Sequence, residues 1–464
     1  MNEETRTGNE VRTGNESRTG NETRIGNELF GGYYKPKNRP ADDELSRVGP
    51  GTPCGDYLRR FWHPIMMSER LADRPLPVRI LGEDLVLFRD LSGDLGLVHK
   101  HCSHRGMSLE YGIIANHGIR CAYHGWCFAG SGRILETPGE SPKSLLKERV
   151  FHGAYPVLDY RGLIFAYLGP PESRPAFAHL DMMALPDNEM VPWQIHSPCN
   201  WLQVSENSMD PYHTPFLHTR MSGVQFEEVW GELPVVDFHE RDFGFFYTNA
   251  RRSGDNIWVR VHDHLLPNFS QNGALFERGE QVRYFGRSSL TRWVVPIDDT
   301  NTYVIAWRNL NRLDDPEGRS KRDEIGWDTV DFYGQSVHRP EAQRLSNPGD
   351  WDAWVSQGPV NSHQREHLGG TDHGVRLLRN ALRKGIRNLQ QGLEPPRPEA
   401  GSGGFVPTFA GDTIVRVPKG DGDDRALILA TSRRIAEAHL RFRDLPDGER
   451  RAAMERELAP LNVV

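Results

Sequence analysis

Cys102-Ser103-His104 and Cys121-Ala122-Tyr123-His124 form two Cys/His pairs separated by sixteen residues, each followed closely by glycine and the second also by Trp126. The order Cys, His, Cys, His is the informative feature. Two thiolates on one iron and two imidazoles on the other make an asymmetric [2Fe–2S] centre, whose neutral histidines raise its potential above that of an all-cysteine cluster. Such a centre accepts an electron and passes it on. Two Cys and two His also satisfy tetrahedral zinc, but zinc pairs are usually spaced by two or more residues. The single residue between Cys102 and His104 suits two loops clasping a cluster. Cys127 reads as a small buried thiol packed beside the loop, and His101 and His117 as loop histidines.

A second constellation runs from Glu206 to His218. On a helix, Asn207, Asp210 and His213 share a face at i, i+3 and i+6, which places the Asp210 carboxylate to hydrogen-bond His213. His218 lies five residues beyond His213, where a regular helix turns it away. Pro215 disrupts the helix between them and lets His218 fold back toward the same metal. Two histidines need one carboxylate to complete the facial triad of an iron(II) that keeps positions open for O₂. Asp350 and Asp352, in Gly349-Asp350-Trp351-Asp352-Ala353-Trp354, are the candidates, and spacing does not choose between them.

These residues need elements to hold them. From Glu44 to Ile65 an amphipathic segment with Tyr57, Leu58, Phe61 and Trp62 leads into short strands. Val78 and Ile80 alternate with polar neighbours, Gly82-Glu83 turns, Leu85 and Leu87 follow, and Ser92-Gly93 turns again before Leu95 and Leu97. This reads as a small β-domain ending where Leu163 to Tyr167 meets Leu168-Gly169-Pro170-Pro171. Beyond it, Val282 to Phe285, Leu290 to Val295 and Thr302 to Trp307 read as strands. Asp372 onward, with Val375, Leu378 and Leu382 on one face, reads as a helix capped by Thr371 or Asp372. Residues 392–404 read as a surface loop and Arg433 to Phe442 as a final amphipathic helix. The division is 1–43, a flexible tract; 44–171, the cluster domain with its leading helix; and 172–464, an α+β domain. The tract carries a hexapeptide repeat, with Arg6, Arg12, Arg18 and Arg24 each followed by Gly-Asn-Glu or its near equivalent, and has no apolar face to offset its ordering entropy.

With 464 residues, 37% hydrophobic and 26% charged, the chain is long enough for two or three cores. No apolar run approaches the ~20 residues that span a bilayer, and the N-terminus is polar, so neither membrane insertion nor secretion is supported. A net charge of -7 argues against nucleic acid as partner. Five cysteines, odd in number, do not make a disulfide framework and suit a reducing, cytoplasmic setting. No nicotinamide or flavin motif is found, which implies a separate reductase.

With both constellations in view, the chain resembles the α-subunits of the Rieske aromatic-ring oxygenases, within them the group of phthalate dioxygenase and the aromatic O-demethylases. The resemblance rests on Arg47-Val48-Gly49-Pro50-Gly51-Thr52, Cys102 to His124, Asn207 to His218 and Glu366 to Arg379, and covers most of the chain. It implies an α+β fold in which a Rieske β-domain precedes a helix-grip-like antiparallel sheet with helices. It implies that Cys102 and Cys121 bind one cluster iron and His104 and His124 the other. It places His213 and His218 on a mononuclear Fe(II), with Asp350 as the carboxylate ligand and Asp352 as the fallback. Asp210 resembles the acidic residue that bridges cluster and iron between neighbouring subunits, and Asn207 the polar residue shortly before it. A head-to-tail homotrimer is implied, fed by an NAD(P)H-dependent reductase with or without a ferredoxin. The activity implied is that of a terminal oxygenase that uses O₂ to hydroxylate or O-demethylate an aromatic acid. A carboxylate substrate favours an arginine partner, and Arg251, Arg252 and Arg260 are available. The competing classes are a Rieske electron carrier, which leaves roughly 290 residues after Pro171 without a task, and a zinc-binding interaction protein.

Overall fold

The computed structural model describes residues 40–462, apart from 186, 399 and 402–403, together with two short strands at Arg24–Ile25 and Glu28–Leu29. The hexapeptide tract otherwise lies outside the described residues.

Three small antiparallel sheets lie between Trp62 and Tyr167. One orders Ala154–Tyr155, Leu95–His99, Glu83–Arg89 and Leu76–Ile80; a second orders Val157–Tyr160, Leu163–Tyr167 and Trp62–Met67. The third, built from Ile134–Glu136, Cys127–Phe128, Gly118–Arg120 and Ile113–Ala115, adjoins the second Cys/His loop. Strand Glu83–Arg89 is buried on both faces: Leu85 and Leu87, opposite Val78 and Leu76, join the larger core, and Val86 and Phe88 pack in the core beneath the Cys/His loops. The hairpin between Ile80 and Glu83 turns on Leu81 and Gly82, both at positive φ (49° and 77°), the conformation a two-residue turn needs to match strand twist. Leu81 tolerates that conformation because it is wholly buried and its amide donates to the Pro296 carbonyl at 2.9 Å. The turn is thereby docked on the next domain.

That domain is built on one eight-stranded antiparallel sheet. Its order is Glu189–Ser197, Asn301–Leu310, Leu290–Asp298, Phe269–Asn272, Asn256–Leu265, Gly244–Ser253 and Val235–Arg241. Gly411–Arg416 shares the edge of Asn256–Leu265 with Phe269–Asn272, pairing residues 256–261 while the latter takes 263–265. The register sorts the side chains. Opposite Tyr247 stands His262, opposite Asn249 Arg260, and opposite Arg251 Trp258, so these six share one face. Ile257, Val259 and Val261 point to the other, where helix Asp424–Arg441 covers them with Ile428, Ile435 and Ala436. One continuous core joins the two domains, running from Leu45 and Ile65 through Phe165 to Trp293 and Ile305.

Three expectations change. Residues 282–285 form no strand, only an isolated bridge from Arg283 to Ile414, because Arg283 is drawn into ion pairs with Glu277 and Asp314 and Val282 is left exposed. The final helical segment is larger than expected: Asp424–Arg441 begins where Asp423 caps the amides of Arg425 and Ala426, and Asp447–Leu458 follows. Helix His373–Gln390 starts after Asp372, whose carboxylate accepts from the Gly369 amide at 2.6 Å rather than capping the helix.

Candidate metal centres and active site

The two Cys/His loops are built alike. The Cys102 and Cys121 amides donate to the carbonyls of Met107 and Trp126 (2.9 and 2.8 Å), and their own carbonyls accept from Gly106 and Gly125 (2.8 and 3.0 Å). Gly106 and Gly125 take φ of 77° and 74°, which favours glycine in each turn. The thiols end up buried at 3% and 2% exposure, while His124 is exposed and His104 partly so. The two imidazoles approach to 4.5 Å between centroids, and Trp126 stacks flat on His104 at 4.7 Å.

The quartet fits a two-iron cluster. His104 Nδ1 is buried with no hydrogen-bond partner, as a metal-ligating nitrogen would be. Burial pushes the Cys102 thiol up, the His104 and Arg105 amides pull it down, and the neighbouring Cys121 pushes it up again, a conflict that metal binding relieves. A single zinc needs its donors around one point. Among the described residues, three or more His, Cys or carboxylate donors lie mutually within 4.8 Å only at His213, His218 and Asp350 and at Glu206, His363 and Glu366. Cys127 is a buried thiol on the adjoining strand, pushed up by burial.

The second centre is positioned by three segments. Helix Trp201–Asn207 is capped by Asn200 and tied down by the Trp201 indole on the Leu45 carbonyl (3.0 Å). Gln203 reaches from it to the Trp354 carbonyl at 2.7 Å, in helix Asp350–Val355. That second helix hangs from the sheet edge by two indoles, Trp351 on the His196 carbonyl (2.9 Å) and Trp354 on the Ser197 hydroxyl (3.0 Å). The third segment, Phe216–Arg220, is a π-turn closed by the Met221 amide on the Phe216 carbonyl, and it carries His218.

The helix expected to run through His213 stops at Asn207. Pro211, not Pro215, marks the break; Pro215 sits in the first turn of the next helical stretch, where its missing amide costs nothing. His213 Nδ1 bonds the Asp210 carbonyl, whereas the Asp210 carboxylate stays 3.8 Å away and accepts instead from the Tyr212 amide at 3.0 Å. The backbone, rather than the carboxylate, orients the ring.

His213 Nε2 and His218 Nε2 each lie 3.4 Å from Asp350 Oδ1. Burial pushes the Asp350 carboxyl up, but the two imidazoles outweigh it and hold the group well below the usual carboxylate range. Asn207 donates to Oδ1 at 3.2 Å and Gln335 to Oδ2 at 2.7 Å. Asp352, two residues on and so on the opposite side of the helix, faces away: it accepts from the Gly349 amide at 2.9 Å and pairs with Arg339. Two imidazoles and one carboxylate converging on one point fit a facial triad. Gln335 and Gln225, which holds His218, were not singled out in the sequence, and a lone glutamine carries no spacing signal that would have found them.

The three arginines considered for substrate separate by face. Arg252 turns to the helix-covered side and pairs with Asp424. Arg260, 1% exposed, is matched by Asp412 at 2.8 Å. Arg251, also 1% exposed, is held by neutral acceptors: the Glu232 carbonyl at 3.0 Å, Thr214 Oγ1 at 2.7 Å, and Asn249.

Comparisons with known proteins show what the chain is similar to. Residues 61–154 match the Rieske [2Fe–2S] domain. The oxygenase subunit of a tert-butanol monooxygenase / tert-amyl alcohol desaturase from Aquincola tertiaricarbonis is 43% identical over 82% of this chain and 83% of its own length. The α-subunit of phenoxybenzoate dioxygenase from Ectopseudomonas oleovorans is 38% identical over 76% and 87%. The oxygenase subunit of 5,5'-dehydrodivanillate O-demethylase from a Sphingobium strain is 35% identical over 76% and 81%. Crystalline dicamba monooxygenase bound to dicamba shares the fold, with a TM-score of 0.57 at 18% identity over 72% of this chain and 99% of that one.

Proposed function

The chain belongs to the Rieske non-haem iron oxygenases as a terminal oxygenase subunit, and from that premise we propose which residues do the work and on what substrate. When bound, the [2Fe–2S] cluster supplies single electrons and the mononuclear iron activates O₂. Cys102, Cys121, His104 and His124 hold the cluster; His213, His218 and Asp350 hold the iron. Asn207 steadies Asp350. Asp210 bridges the iron site to the cluster of a neighbouring copy in a head-to-tail homotrimer.

The observation that carries the bridging role is exposure. On one side His124 and Tyr123 lie open to solvent beside the cluster loops. On the other, the Asp210 side chain is 30% exposed at the mouth of a cleft of about 210 Å³ shared with Asn207 and His213. Both ends of the route thus reach the surface of a single chain, as a route completed between chains requires. Arg105 beside Tyr123 and His124, and Asp210 and Asp372 in the cleft, add charge complementarity.

Electrons come from a separate NAD(P)H-dependent reductase, with or without a ferredoxin. The substrate is an aromatic acid, hydroxylated or O-demethylated, in keeping with the phenoxybenzoate and dehydrodivanillate enzymes among the relatives. No helix among the described residues is long and apolar enough to cross a membrane, and the five cysteines are unpaired and buried, which supports a cytoplasmic setting. The test is complementation. Cys102→Ser chains lack the cluster and Asp350→Asn chains lack the iron; each alone is inactive, and co-expressed they recover turnover if electrons cross between subunits. Mixed oligomers without recovery would refute the bridge.

A further inference from the structure

The inner face of the large sheet carries positive charge that its own carboxylates do not offset. The register places Arg292 opposite Ser270 on one side and Ala306 on the other, on the face that bears Arg260 and His262. Arg260 has Asp412, and Arg251 has every nitrogen bonded to a neutral acceptor. Arg292 differs. It is 7% exposed, its Nε donates to Ser270 Oγ at 2.9 Å, and neither terminal nitrogen has a partner among the described residues. The flanking side chains, Ser270 and Ala306, are too small to cover the fork. Burial pulls its guanidinium below the ordinary range, and geometry leads from it to the iron site: His264, opposite Ser270 in the next strand, meets the Ser208 hydroxyl at 3.2 Å, one residue from the Asn207 that donates to Asp350.

A buried guanidinium without a counter-charge is costly unless an acceptor completes it. The planar fork matches a carboxylate through two parallel N–H donors. We propose that Arg292 is the specificity-determining residue of this oxygenase, binding the carboxylate of an acidic substrate through Nη1 and Nη2 and thereby holding the rest of the molecule toward His213, His218 and Asp350. Arg251 has no donor nitrogen left over, and Arg260 leaves only Nη1 unpartnered, a single donor where a carboxylate fork needs two. The assignment rests on the aromatic-acid reading above and names the side chain that enforces it.

Calorimetric titration of the anaerobic holoenzyme decides it, using two matched pairs as probes: benzoate with benzamide, and 3-phenoxybenzoate with its amide. In the wild type at least one acid is expected to bind about 30-fold or more tightly than its amide, the lower bound for a desolvated charge pair. In Arg292→Gln that preference collapses while amide binding stays within about threefold. An acid preference unchanged in Arg292→Gln overturns the assignment, as does a wild type that binds neither acid. If Arg292→Gln does not purify with its cluster, Arg292→Lys decides: acid binding weakens with the amide unaffected, whereas equal or absent effects on both overturn it. Product analysis separates the two levels. A wild type that oxidises the acids but ignores the loss of Arg292 leaves the aromatic-acid reading intact; one that oxidises only the neutral compounds defeats both.

Discussion

Gln225 Oε1 accepts a hydrogen bond from His218 Nδ1 at 2.9 Å. The amide orientation follows from its other end, where Nε2 donates to the carbonyls of Leu217 (3.1 Å) and Pro348 (2.8 Å) and to Asn347 Oδ1 (3.2 Å). The oxygen therefore faces His218, which fixes the proton on Nδ1 and leaves Nε2 free for metal. Because Pro348 lies two residues before Asp350, one side chain ties a histidine ligand to the loop that delivers the carboxylate.

Replacing Gln225 by Leu should lower affinity for the mononuclear iron about 10- to 100-fold, the usual consequence of losing such a partner. Iron titration of the apo site measures it, with the visible spectrum of the cluster unchanged.

The two aspartates should separate cleanly. Asp350→Asn is expected to purify with about two irons per chain instead of about three, and without turnover. Asp352→Asn is expected to keep its iron and lose about 1–3 kcal/mol of stability, because a neutral amide no longer offsets the charges of Arg339 and Arg344. Metal analysis and thermal unfolding of both variants check this, and iron loss in Asp352→Asn alone would reverse the assignment.

Asp210→Ala should retain cluster and iron yet lose about 100-fold in turnover, the scale of cost when reacting partners are misaligned. Its electron transfer is to be followed by the decay of the reduced cluster signal after mixing with O₂ and substrate. Full activity would remove the bridging role.

Acid should destabilise the chain well above the carboxylate range. His63 is wholly buried, its pKa pulled from 6.5 to about 4, mainly by burial, and His439 is pulled well below 6.5 by burial and by Arg450 and Arg287. A folded pKa below the unfolded value means the unfolded chain binds protons first. Stability is then full above pH 6.5 and declines as pH falls toward 4, by about 3 kcal/mol for His63 alone. Unfolding midpoints measured across that window should fall more shallowly in His63→Asn.

Most of this was legible in the sequence where chemistry and local pattern coincide. Cys102, His104, Cys121 and His124 announce themselves because a cluster demands those types in that order, and strands such as Leu163–Tyr167 because burial alternates or saturates over a short run. What sequence could not give was set by tertiary contact. The choice of Asp350 over Asp352 depends on which way a short helix is hung from the sheet by Trp351 and Trp354. The carbonyl of Asp210, rather than its carboxylate, holds His213 because the helix ends early, at Asn207. Arg292 was invisible because an arginine within a strand looks like any half-exposed charge until the register shows which face it takes.

The most direct measurement is an assay of iron, inorganic sulfide and zinc on anaerobically purified protein, with an EPR spectrum after dithionite reduction. The expected result is about three irons and two sulfides per chain with a signal typical of mixed cysteine and histidine ligation. Zinc without sulfide would contradict it.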